Sequence, residues 1–360
     1  MRILALITDR GTGGGKGGIA RFNQDFLTTL SSIPSVEIVA LSRLPLTPTL
    51  SPSRGEGRVR GGGKMSYAFS ALKALYTEGP FDLIFCGHLH LAPLAAFFSK
   101  AAKVPCWLQL HGIEVLEKPS FILCWAAKQA ELVTAVSRYT RQKFLSWAEI
   151  SPERVRVLPN TVDPKFQPGP KPEHLLKRYG LAGKKILLTL SRLSPQERYK
   201  GQDRILNILP ELLRKEPKAV YVIAGGGKDR ARLEKMAHEK KLNGAVHFIG
   251  PVKESELVDH YRMADLFVMP STGEGFGIVF LEAAACGIPV VAGSQDGSVD
   301  ALLEGRLGSL IDPANGEELL QEILHGLASE KANLKPIETF SEKNFASQVK
   351  TLLQEIAPWS

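Results

Sequence analysis

The 360-residue sequence has few cysteines and lacks a long hydrophobic run, and both features limit the classes of protein to which it can belong. It holds four cysteines, which lie far apart in apolar stretches, at Cys86, Cys106, Cys124 and Cys286. Without closely spaced pairs, neither a disulfide framework nor a thiolate metal site is expected, and buried thiols in a reducing cytosol explain them. The apolar run 3–7 is too short for a signal peptide, and no segment approaches the length of a membrane-spanning helix.

Positive charge exceeds negative charge, but only in the first half of the chain. Residues 1–165 contain 20 Lys and Arg against 12 Asp and Glu, whereas residues 166–360 contain 25 of each. The excess favours an anionic partner or an anionic membrane surface, although solubility alone also accounts for it. Nucleic acid is not expected as a partner, because aromatic residues are not interleaved with the basic ones and no nucleic-acid-binding motif is present.

Strand and helix patterns alternate along the whole chain. Strand patterns occur in the first half at 2–7, 36–42, 81–86, 104–110, 132–136 and 155–158. A proline-rich segment at 165–177 indicates a linker, and a second series follows at 186–191, 220–224, 246–250, 266–269, 289–292 and 308–311. This alternation predicts an α/β protein with a doubly wound parallel sheet in each half. The last segment, 340–353, has the pattern of an amphipathic helix.

Residues 269–292, MPSTGEGFGIVFLEAAACGIPVVA, form the most informative stretch. The pattern predicts a strand, a glycine turn, a helix and a second strand, and such units bind ligands at the carboxyl ends of their strands. Gly275 and Gly277 let the backbone pass close to a ligand, and the helix start favours an anion. We expect Glu274 at the lip of this crevice and Glu282 on nearly the same helix face, a pair suited to a polyhydroxylated, phosphorylated ligand such as a nucleotide sugar. The alternative is a surface Glu stabilised by the helix dipole, with Glu282 solvated.

A second glycine-rich segment, residues 11–18, follows the first strand. It contains G-x-G-x-x-G at Gly13, Gly15 and Gly18, the pattern of a dinucleotide site, which leaves a nicotinamide oxidoreductase as one alternative. The strand ends several residues before the loop, however, and no acidic residue follows the second strand to hold a ribose. A phosphate-binding P-loop is excluded, because Arg10 and Gly17 stand where that motif needs Gly and Ser or Thr. A loop with purely conformational glycines is the remaining interpretation.

Residues 44–64, LPLTPTLSPSRGEGRVRGGGK, differ in composition from the rest of the chain. They are rich in Pro, Ser, Gly and Arg and have few side chains that could join a core, which predicts a mobile inserted loop. The segment resembles translated interspersed repeats of bacterial genomes, which would make it an insertion without function. The alternative is an arm that contacts the acceptor or a membrane through its basic residues.

Two motifs indicate a family. The segment E-G-F-G-I-V-F-L-E-A-A-A-C-G-I-P-V-V-A, which begins at Glu274, resembles nearly residue for residue the E-x7-E signature of retaining family-four glycosyltransferases with the GT-B architecture. Pro159-Asn-Thr-Val-Asp163 resembles the P-N-x-V-D that closes the first domain of these enzymes. The resemblance covers essentially the whole chain apart from 44–64. It implies two Rossmann-like domains facing across a cleft: an acceptor domain at 1–165, a nucleotide-sugar domain at 166–335, and a C-terminal helix at 336–360 that crosses back to the first domain.

The resemblance also implies roles for charged residues. Arg192 and Lys200 take the place of the Arg and Lys that hold the donor diphosphate, a task that needs opposite charge and several donors. They are eight positions apart, more than is usual, so Arg198 is an alternative to Lys200. Glu274 is implied to hold hydroxyls of the transferred sugar, and Glu282 the ribose.

His111 follows a strand and takes the place of the family's active-site His, which contacts the donor, although a lone His is more often structural. His88 and His90 also follow a strand, without a family role. Gly17 and Gly18 stand where the backbone approaches the donor diphosphate. The other donor-binding positions implied by the resemblance are Val252, Gly275, Phe276, Gly277 and Ile278.

The activity implied is retaining transfer of a sugar from a nucleotide diphosphate sugar, a UDP-sugar or GDP-mannose, to an acceptor hydroxyl in cell-envelope polysaccharide or glycolipid synthesis. No D-x-D pair is present, so no metal and no cofactor beyond the co-substrate is expected. The expected partners are the donor, an acceptor saccharide or lipid and an anionic membrane surface, for a cytoplasmic protein at most peripheral to the inner face of the cell membrane. A GT-B epimerase and an inactive GT-B scaffold are the alternatives.

Overall fold

The computed structural model describes residues 1–8, 17–42, 64–329 and 335–357, which divide into two compact units. Unit 1 contains Met1–Thr161 and Glu342–Ser360, and unit 2 contains Val162–Ser341. The predicted fold class, α/β with two doubly wound Rossmann-like domains, is confirmed, because each unit is built on a six-stranded parallel sheet with helices between the strands. The segment 44–64, predicted to be an inserted loop, lies outside the described residues, except for Lys64, where a helix begins.

The strands and helices are numbered in chain order. The strands are β1 (Arg2–Ile7), β2 (Glu37–Ser42), β3 (Leu83–Cys86), β4 (Cys106–Leu110), β5 (Leu132–Ala135), β6 (Val155–Val157), β7 (Lys185–Leu190), β8 (Ala219–Ala224), β9 (Val246–Gly250), β10 (Leu266–Met269), β11 (Val290–Gly293) and β12 (Ser309–Ile311). The helices are α1 (Gly18–Ser31), α2 (Lys64–Thr77), α3 (Ala92–Ala102), α4 (Phe121–Lys128), α5 (Arg138–Leu145), α6 (Glu173–Tyr179), α7 (Gln202–Lys215), α8 (Arg230–Glu239), α9 (Leu257–Met263), α10 (Ile278–Ala285), α11 (Ser298–Ala301), α12 (Gly316–Ala328) and α13 (Glu342–Ile356).

Unit 1 has the strand order β2-β1-β3-β4-β5-β6, all parallel. Its strands are near-continuous apolar runs because both faces of the sheet are covered. Helices α2, α3, α4 and α5 share one core with one face of the sheet. On the other face, Phe26 of α1 stacks on Phe85 with ring centroids 4.1 Å apart. Phe345 of α13 packs edge-on against Phe22 of α1, so the last helix belongs to this unit.

Unit 2 has the strand order β12-β11-β10-β7-β8-β9, again parallel. The chain moves from β7 outward in one direction and from β10 outward in the other, so the topological switch point lies between these two strands. Helices α7, α8 and α12 share a core with one face of the sheet. On the other face Tyr261 of α9 and Phe280 of α10 pack against Phe267. Ligands of open α/β sheets bind at the carboxyl edge beside such a switch point.

The unit boundaries differ from the predicted ones. The first falls after Thr161 rather than after residue 165, and the second after Ser341 rather than after residue 335. The segment 165–177, interpreted as a linker, is part of unit 2: Phe166 is buried there, and the Lys171 ammonium lies 2.8 Å from the Asp265 carboxylate. Residues from Glu173 onward form α6, so the prolines here shape a docked segment rather than a free connection.

The four cysteines are all unpaired thiols and all buried, as predicted. Burial raises the pKa of Cys86 and of Cys286 to about 12, so both stay protonated and unreactive. Among the helices of the described ranges, none has both the length and the apolarity needed to cross a bilayer.

Candidate active site

The carboxyl edge of the unit 2 sheet gathers the charged residues on which the sequence prediction depends. β7 is followed by the loop that carries Arg192 and Lys200, and β10 by the loop that carries Glu274. Because β7 and β10 are hydrogen-bonded neighbours at the switch point, loops far apart in sequence leave the sheet side by side. A hydrogen bond from the Thr272 backbone N–H to the Tyr199 carbonyl, 3.0 Å long, joins the two loops directly.

Lys200 lies at the centre of a small charged cluster. Its ammonium forms an ion pair with the Glu274 carboxylate, and each of these side chains is only 13% exposed. The same ammonium lies 3.6 Å from Oε2 of Glu197, a carboxylate that is 5% exposed. Oε1 of Glu197 lies 2.5 Å from the guanidinium of Arg192, which is 75% exposed. The cluster therefore contains one exposed cation, Arg192, and one enclosed cation, Lys200, and both contact the buried carboxylate of Glu197.

Lys200 and Arg198, the two candidates that the unusual spacing leaves for the same role, have different partners in the structure. The Arg198 guanidinium pairs with Asp229, with its Nε 3.2 Å from Oδ1 of that carboxylate. Arg232 contacts the same aspartate at 2.6 Å, and its hydrogen bonds, followed by the charge of Arg198, lower the pKa of Asp229. Arg198 is thus engaged with the loop after β8, whereas Lys200 meets Glu274.

A buried aspartate fixes the loop that carries Glu274. Oδ2 of Asp296 accepts hydrogen bonds from the Ser271 hydroxyl (2.7 Å) and from the Glu274 backbone N–H (2.8 Å). Oδ1 accepts from the backbone N–H and the hydroxyl of Ser298, at 2.9 and 2.6 Å. Burial raises the pKa of Asp296, and these hydrogen bonds act in the opposite direction. The loops after β10 and β11 are therefore joined through one side chain.

The segment from Gly275 to Ile278 leads into α10. Gly277 precedes the helix at a φ of +83°, which favours glycine, and no side chain caps the first turn. Uncapped N–H groups at a helix start suit an anion. The Phe276 side chain is buried and packs edge-on against Phe340, with centroids 5.7 Å apart, so only its backbone is placed to meet a ligand. Ile278 is half-buried.

Glu282 is buried in the second turn of α10, so the alternative that it lies on a solvated face is wrong. Its Oε2 accepts a 2.6 Å hydrogen bond from the hydroxyl of Tyr261. Burial, and next the charge of Glu282, raise the pKa of Tyr261, which therefore remains a donor. Glu274 lies in the loop before α10, so the expectation of one shared helix face is wrong: the two carboxylates have different surroundings and different partners.

Val252 lies just beyond β9, at the edge of the same sheet, and is half-buried. The loop before it is tied to the loop after β8 by a 2.8 Å hydrogen bond from the Gly225 N–H to the Gly250 carbonyl. The Leu193 N–H in turn donates to the Gly226 carbonyl at 2.9 Å. The loops after β7, β8 and β9 thus form a continuous rim that includes Arg192 and Val252.

In unit 1, His111 directly follows β4 and is half-buried. Its Nε2–H donates to the Gly87 carbonyl at 3.0 Å, its backbone N–H donates to Oε1 of Glu114 at 2.6 Å, and its ring packs edge-on against Phe22. Burial lowers the pKa of His111, while Glu114 and the Gly87 carbonyl act in the opposite direction. The imidazole is therefore neutral at pH 7, with its hydrogen on Nε2 and an acceptor at Nδ1.

His88, which follows β3, has a structural role in the turn that leads into α3. Its Nδ1 accepts a 3.1 Å hydrogen bond from the backbone N–H of His90. Burial lowers the pKa of His88 to about 4, so it too is neutral. Its ring centroid is 6.1 Å from that of His111.

Gly17 and Gly18 mark the start of α1. Gly17 has extended backbone, and a Cβ built there would meet no atom of the described residues within 4 Å. Gly13 and Gly15, on which the dinucleotide interpretation depends, lie outside the described residues.

The sequence prediction missed three residues that support the site, namely Glu197, Tyr261 and Asp296. Glu197 lies between Arg192 and Lys200, and the unusually long spacing of these two residues was the available signal. Asp-Gly-Ser after β11 is typical of a turn in which the aspartate caps nearby N–H groups. Tyr261 gave no signal, because its partner lies 21 residues away.

Two family models match the chain. The model described as Glycosyltransferase Family 4 matches residues 17–166, and the model described as Glycosyl transferases group 1 matches residues 174–342. Among solved structures, Anabaena HepE in complex with UDP aligns with a TM-score of 0.78 at 22% identity, covering 99% of this chain and 100% of that one. This last likeness concerns the fold.

Curated relatives are more similar in sequence. The GDP-mannose-dependent alpha-(1-6)-phosphatidylinositol monomannoside mannosyltransferase of Mycolicibacterium smegmatis is 35% identical over 256 residues, 68% of this chain and 66% of that protein. D-inositol 3-phosphate glycosyltransferase 2 of Catenulispora acidiphila is 35% identical over 171 residues, 44% of this chain and 39% of that protein. The chain therefore spans less than two thirds of the length of these relatives.

Proposed function

The chain belongs to the family-4 glycosyltransferases of GT-B architecture, and from that premise we propose that it transfers a sugar from a nucleotide diphosphate sugar to a lipid acceptor. The observation that carries the proposal is the Lys200–Glu274 ion pair at the switch point of unit 2, beside Arg192 and the uncapped start of α10. Cations and N–H groups next to a carboxylate suit a ligand that combines phosphate with hydroxyl groups.

We assign the parts of the donor as follows. Arg192 and Lys200 hold the diphosphate, Glu274 accepts hydroxyls of the transferred sugar, and Glu282 accepts the ribose hydroxyls. The base lies along the rim at Val252. The donor is GDP-mannose, a choice supported by the mannosyltransferase names of the mycobacterial relatives, with a UDP-sugar as the second candidate because HepE binds UDP.

Transfer is proposed to proceed with retention through an oxocarbenium-like transition state. Negative charge grows on the departing diphosphate, and Arg192, Lys200 and the α10 N–H groups stabilise it electrostatically, a contribution of several kcal/mol in comparable enzymes. These groups meet the charge that a divalent ion meets in other transferases, so we propose no metal requirement. The departing phosphate accepts the acceptor's proton. His111 is proposed as a further catalytic residue that contacts the donor, with its tautomer set by the Gly87 carbonyl.

The acceptor is proposed to be an inositol-containing phospholipid or its mannosylated form. The similarity to the phosphatidylinositol monomannoside mannosyltransferase supports this class, and the similarity to the inositol-phosphate glycosyltransferase supports an inositol group in the acceptor. Such an acceptor lies in a membrane, and we propose that the enzyme is cytoplasmic and works peripherally at the inner face of the cell membrane.

The direct test is a transfer assay with the full chain. GDP-mannose, GDP-glucose and UDP-glucose are each titrated calorimetrically and then incubated with vesicles that contain phosphatidylinositol. We expect GDP-mannose to bind most tightly and a mannosylated lipid to appear by mass spectrometry, with α linkage by NMR. A β-linked product would overturn retention, and binding of only a UDP-sugar would overturn the donor assignment.

Release of GDP in the absence of acceptor separates this proposal from its alternatives. A transferase releases GDP in proportion to lipid acceptor, whereas an epimerase would release nucleotide and an altered sugar without it. An inactive scaffold would bind the nucleotide sugar and release nothing.

A further inference from the structure

The unusually long loop between Arg192 and Lys200 contributes a tyrosine to the carboxyl edge of the unit 2 sheet. Tyr199 lies directly before Lys200, in the short 3₁₀ segment Pro195–Lys200, and its side chain is half-buried. The Lys200 ammonium lies 5.5 Å from the centre of the Tyr199 ring, so the tyrosine belongs to the same charged cluster. The extra length of the loop therefore brings one more side chain to the cluster, and that side chain carries a hydroxyl.

The Tyr199 ring is held in place by the loop that carries Glu274. The Tyr199 carbonyl accepts hydrogen bonds from the Thr272 backbone N–H at 3.0 Å and from the Arg204 guanidinium at 3.4 Å. A Cβ built on Gly273 would lie 3.1 Å from Cγ and 3.2 Å from Cδ2 of the ring, so the ring rests against backbone that has no side chain. Backbone contacts and packing therefore fix the ring beside the residue that precedes Glu274, and the hydroxyl takes no part in this.

The Tyr199 hydroxyl faces the charged groups of the cluster. Burial is the largest cause of a raised pKa of Tyr199, and the negative charges of Glu274 and then of Glu197 raise it further. The Arg192 guanidinium acts in the opposite direction, and Asp296 adds a weaker effect in the same direction as the other carboxylates. The hydroxyl therefore stays protonated at neutral pH and can donate a hydrogen bond.

Two polar groups of this cluster have no hydrogen-bond partner within the described ranges. One is the Tyr199 hydroxyl, and the other is Oε2 of Glu274, since the Lys200 ammonium donates to Oε1. Neither atom is among the buried side-chain atoms that lack a partner, so both are accessible to solvent. A sugar hydroxyl has one hydrogen to donate and lone pairs that accept, so it is complementary to a phenol O–H and a carboxylate oxygen together.

We propose that Tyr199 is a further residue that binds the transferred sugar, and that its hydroxyl donates to the same sugar hydroxyl that donates to Oε2 of Glu274. This inference rests on the proposed function, because it needs a nucleotide sugar at this edge, and it adds a residue that determines which sugar is accepted. A site that pairs with a hydroxyl from both sides disfavours a sugar that lacks this hydroxyl, because two protein groups then lose their partner.

The test compares the binding of a nucleotide sugar with the binding of the nucleotide alone, by calorimetric titration of the full chain. Tyr199→Phe keeps the ring against Gly273 and the contacts of the backbone carbonyl, and removes only the hydroxyl. We expect unchanged Tm, GDP affinity within about twofold of the parent chain, and GDP-mannose affinity lowered by roughly 3- to 10-fold, the effect of one neutral hydrogen bond. The value of kcat/KM for transfer should fall by at least the same factor.

Tyr179→Phe is the matched control. It removes a hydroxyl from another half-buried tyrosine of unit 2, one that lies 3.1 Å from Nε2 of His260, and it should bind both ligands like the parent chain. A double-mutant cycle tests the shared hydroxyl. Tyr199→Phe and Glu274→Ala together should cost less free energy of GDP-mannose binding than the sum of their separate losses, because both substitutions act on one hydroxyl of the sugar.

Equal losses of GDP and GDP-mannose affinity in Tyr199→Phe would place the hydroxyl on the diphosphate and overturn the proposal. Additive losses in the cycle would overturn the shared hydroxyl. UDP and UDP-glucose are titrated in parallel, and the comparison uses the pair that the parent chain binds more tightly. If the parent chain binds neither nucleotide sugar, the proposed function fails as a whole. If the parent chain binds one and Tyr199→Phe binds it equally well, only the role of Tyr199 fails.

Discussion

The hydrogen bond between Tyr261 and Glu282 allows the ligand role of Glu282 to be separated from its structural role. Both side chains are buried, and the tyrosine hydroxyl donates to Oε2 at 2.6 Å. Glu282→Ala removes the carboxylate and leaves the Tyr261 hydroxyl without this acceptor. Tyr261→Phe removes the same hydrogen bond from the other side and keeps the carboxylate. The two variants therefore share a structural defect and differ in the group proposed to hold the ribose.

The expected magnitudes follow from the loss of buried partners. Stranding a buried hydrogen-bonding group costs about 1–3 kcal/mol, so both variants should lower the free energy of unfolding of unit 2 by that amount. This corresponds to a fall in Tm of roughly 2–12 °C for a domain of this size. If Glu282 also accepts the ribose hydroxyls, Glu282→Ala should weaken GDP binding by a further 1–3 kcal/mol or so, which is about 5- to 150-fold in Kd.

The assay is calorimetric titration of GDP into both variants, together with thermal unfolding of each. We expect similar losses of Tm, a large loss of GDP affinity in Glu282→Ala, and less than roughly threefold in Tyr261→Phe. Unchanged affinity in Glu282→Ala would refute the ribose assignment. Equal affinity losses in the two variants would show that the carboxylate acts only by fixing α9 against α10.

Four other predictions concern the remaining groups. Glu274→Ala should leave GDP affinity within about twofold and lower turnover by roughly 10- to 100-fold, since it is proposed to contact only the sugar; equal loss of nucleotide affinity would contradict the division of roles. Lys200→Ala should weaken GDP binding at least tenfold or so, whereas Arg198→Ala, its matched control on Asp229, should change it less than about twofold. Deletion of residues 46–63 should leave Tm and transfer unchanged, because the segment offers few core side chains; lost transfer at unchanged Tm would show that it contacts acceptor or membrane. As pH falls from 6.5 to about 4, the free energy of unfolding of unit 1 should fall by on the order of 3 kcal/mol through His88, because His88 binds a proton in the unfolded chain but not in its buried position. His88→Asn should flatten this slope in Tm-versus-pH measurements.

The course of the backbone could be predicted from the sequence because parallel strands buried on both faces are nearly continuous apolar runs. β1, β9 and β10 begin and end at the predicted residues, and every other strand lies within two residues of its predicted position. The unit boundaries were less predictable. Proline content suggested a linker at 165–177, yet Phe166 and Leu175 are buried in unit 2, and composition alone does not distinguish an ordered proline-rich segment from a free one.

The candidate site was predictable in its residue types but not in its pairings. Lys200 and Glu274 are 74 positions apart, and they meet only because β7 and β10 are neighbours in the sheet, which the order of elements along the chain does not reveal. Glu282 and Tyr261 meet because α9 and α10 pack on the same face of the sheet, against Phe267 of β10. A motif thus identified the carboxylates, while their partners depended on how the strands and helices pack.

Asp296, in the loop after β11, determines the position of Glu274. By accepting the Glu274 backbone N–H, the aspartate sets where that residue stands, and the Lys200 ammonium then orients its carboxylate. Glu197 contacts both Lys200 and Arg192. One buried acid, Glu197, therefore positions the two cations, and a second, Asp296, positions the loop that carries Glu274. Arg192, Lys200 and the backbone of Glu274 are therefore each positioned by a residue that is not proposed to meet the donor. Preorganisation of this kind is what electrostatic stabilisation of a departing diphosphate requires, because fixed charges need no rearrangement as the transition state forms.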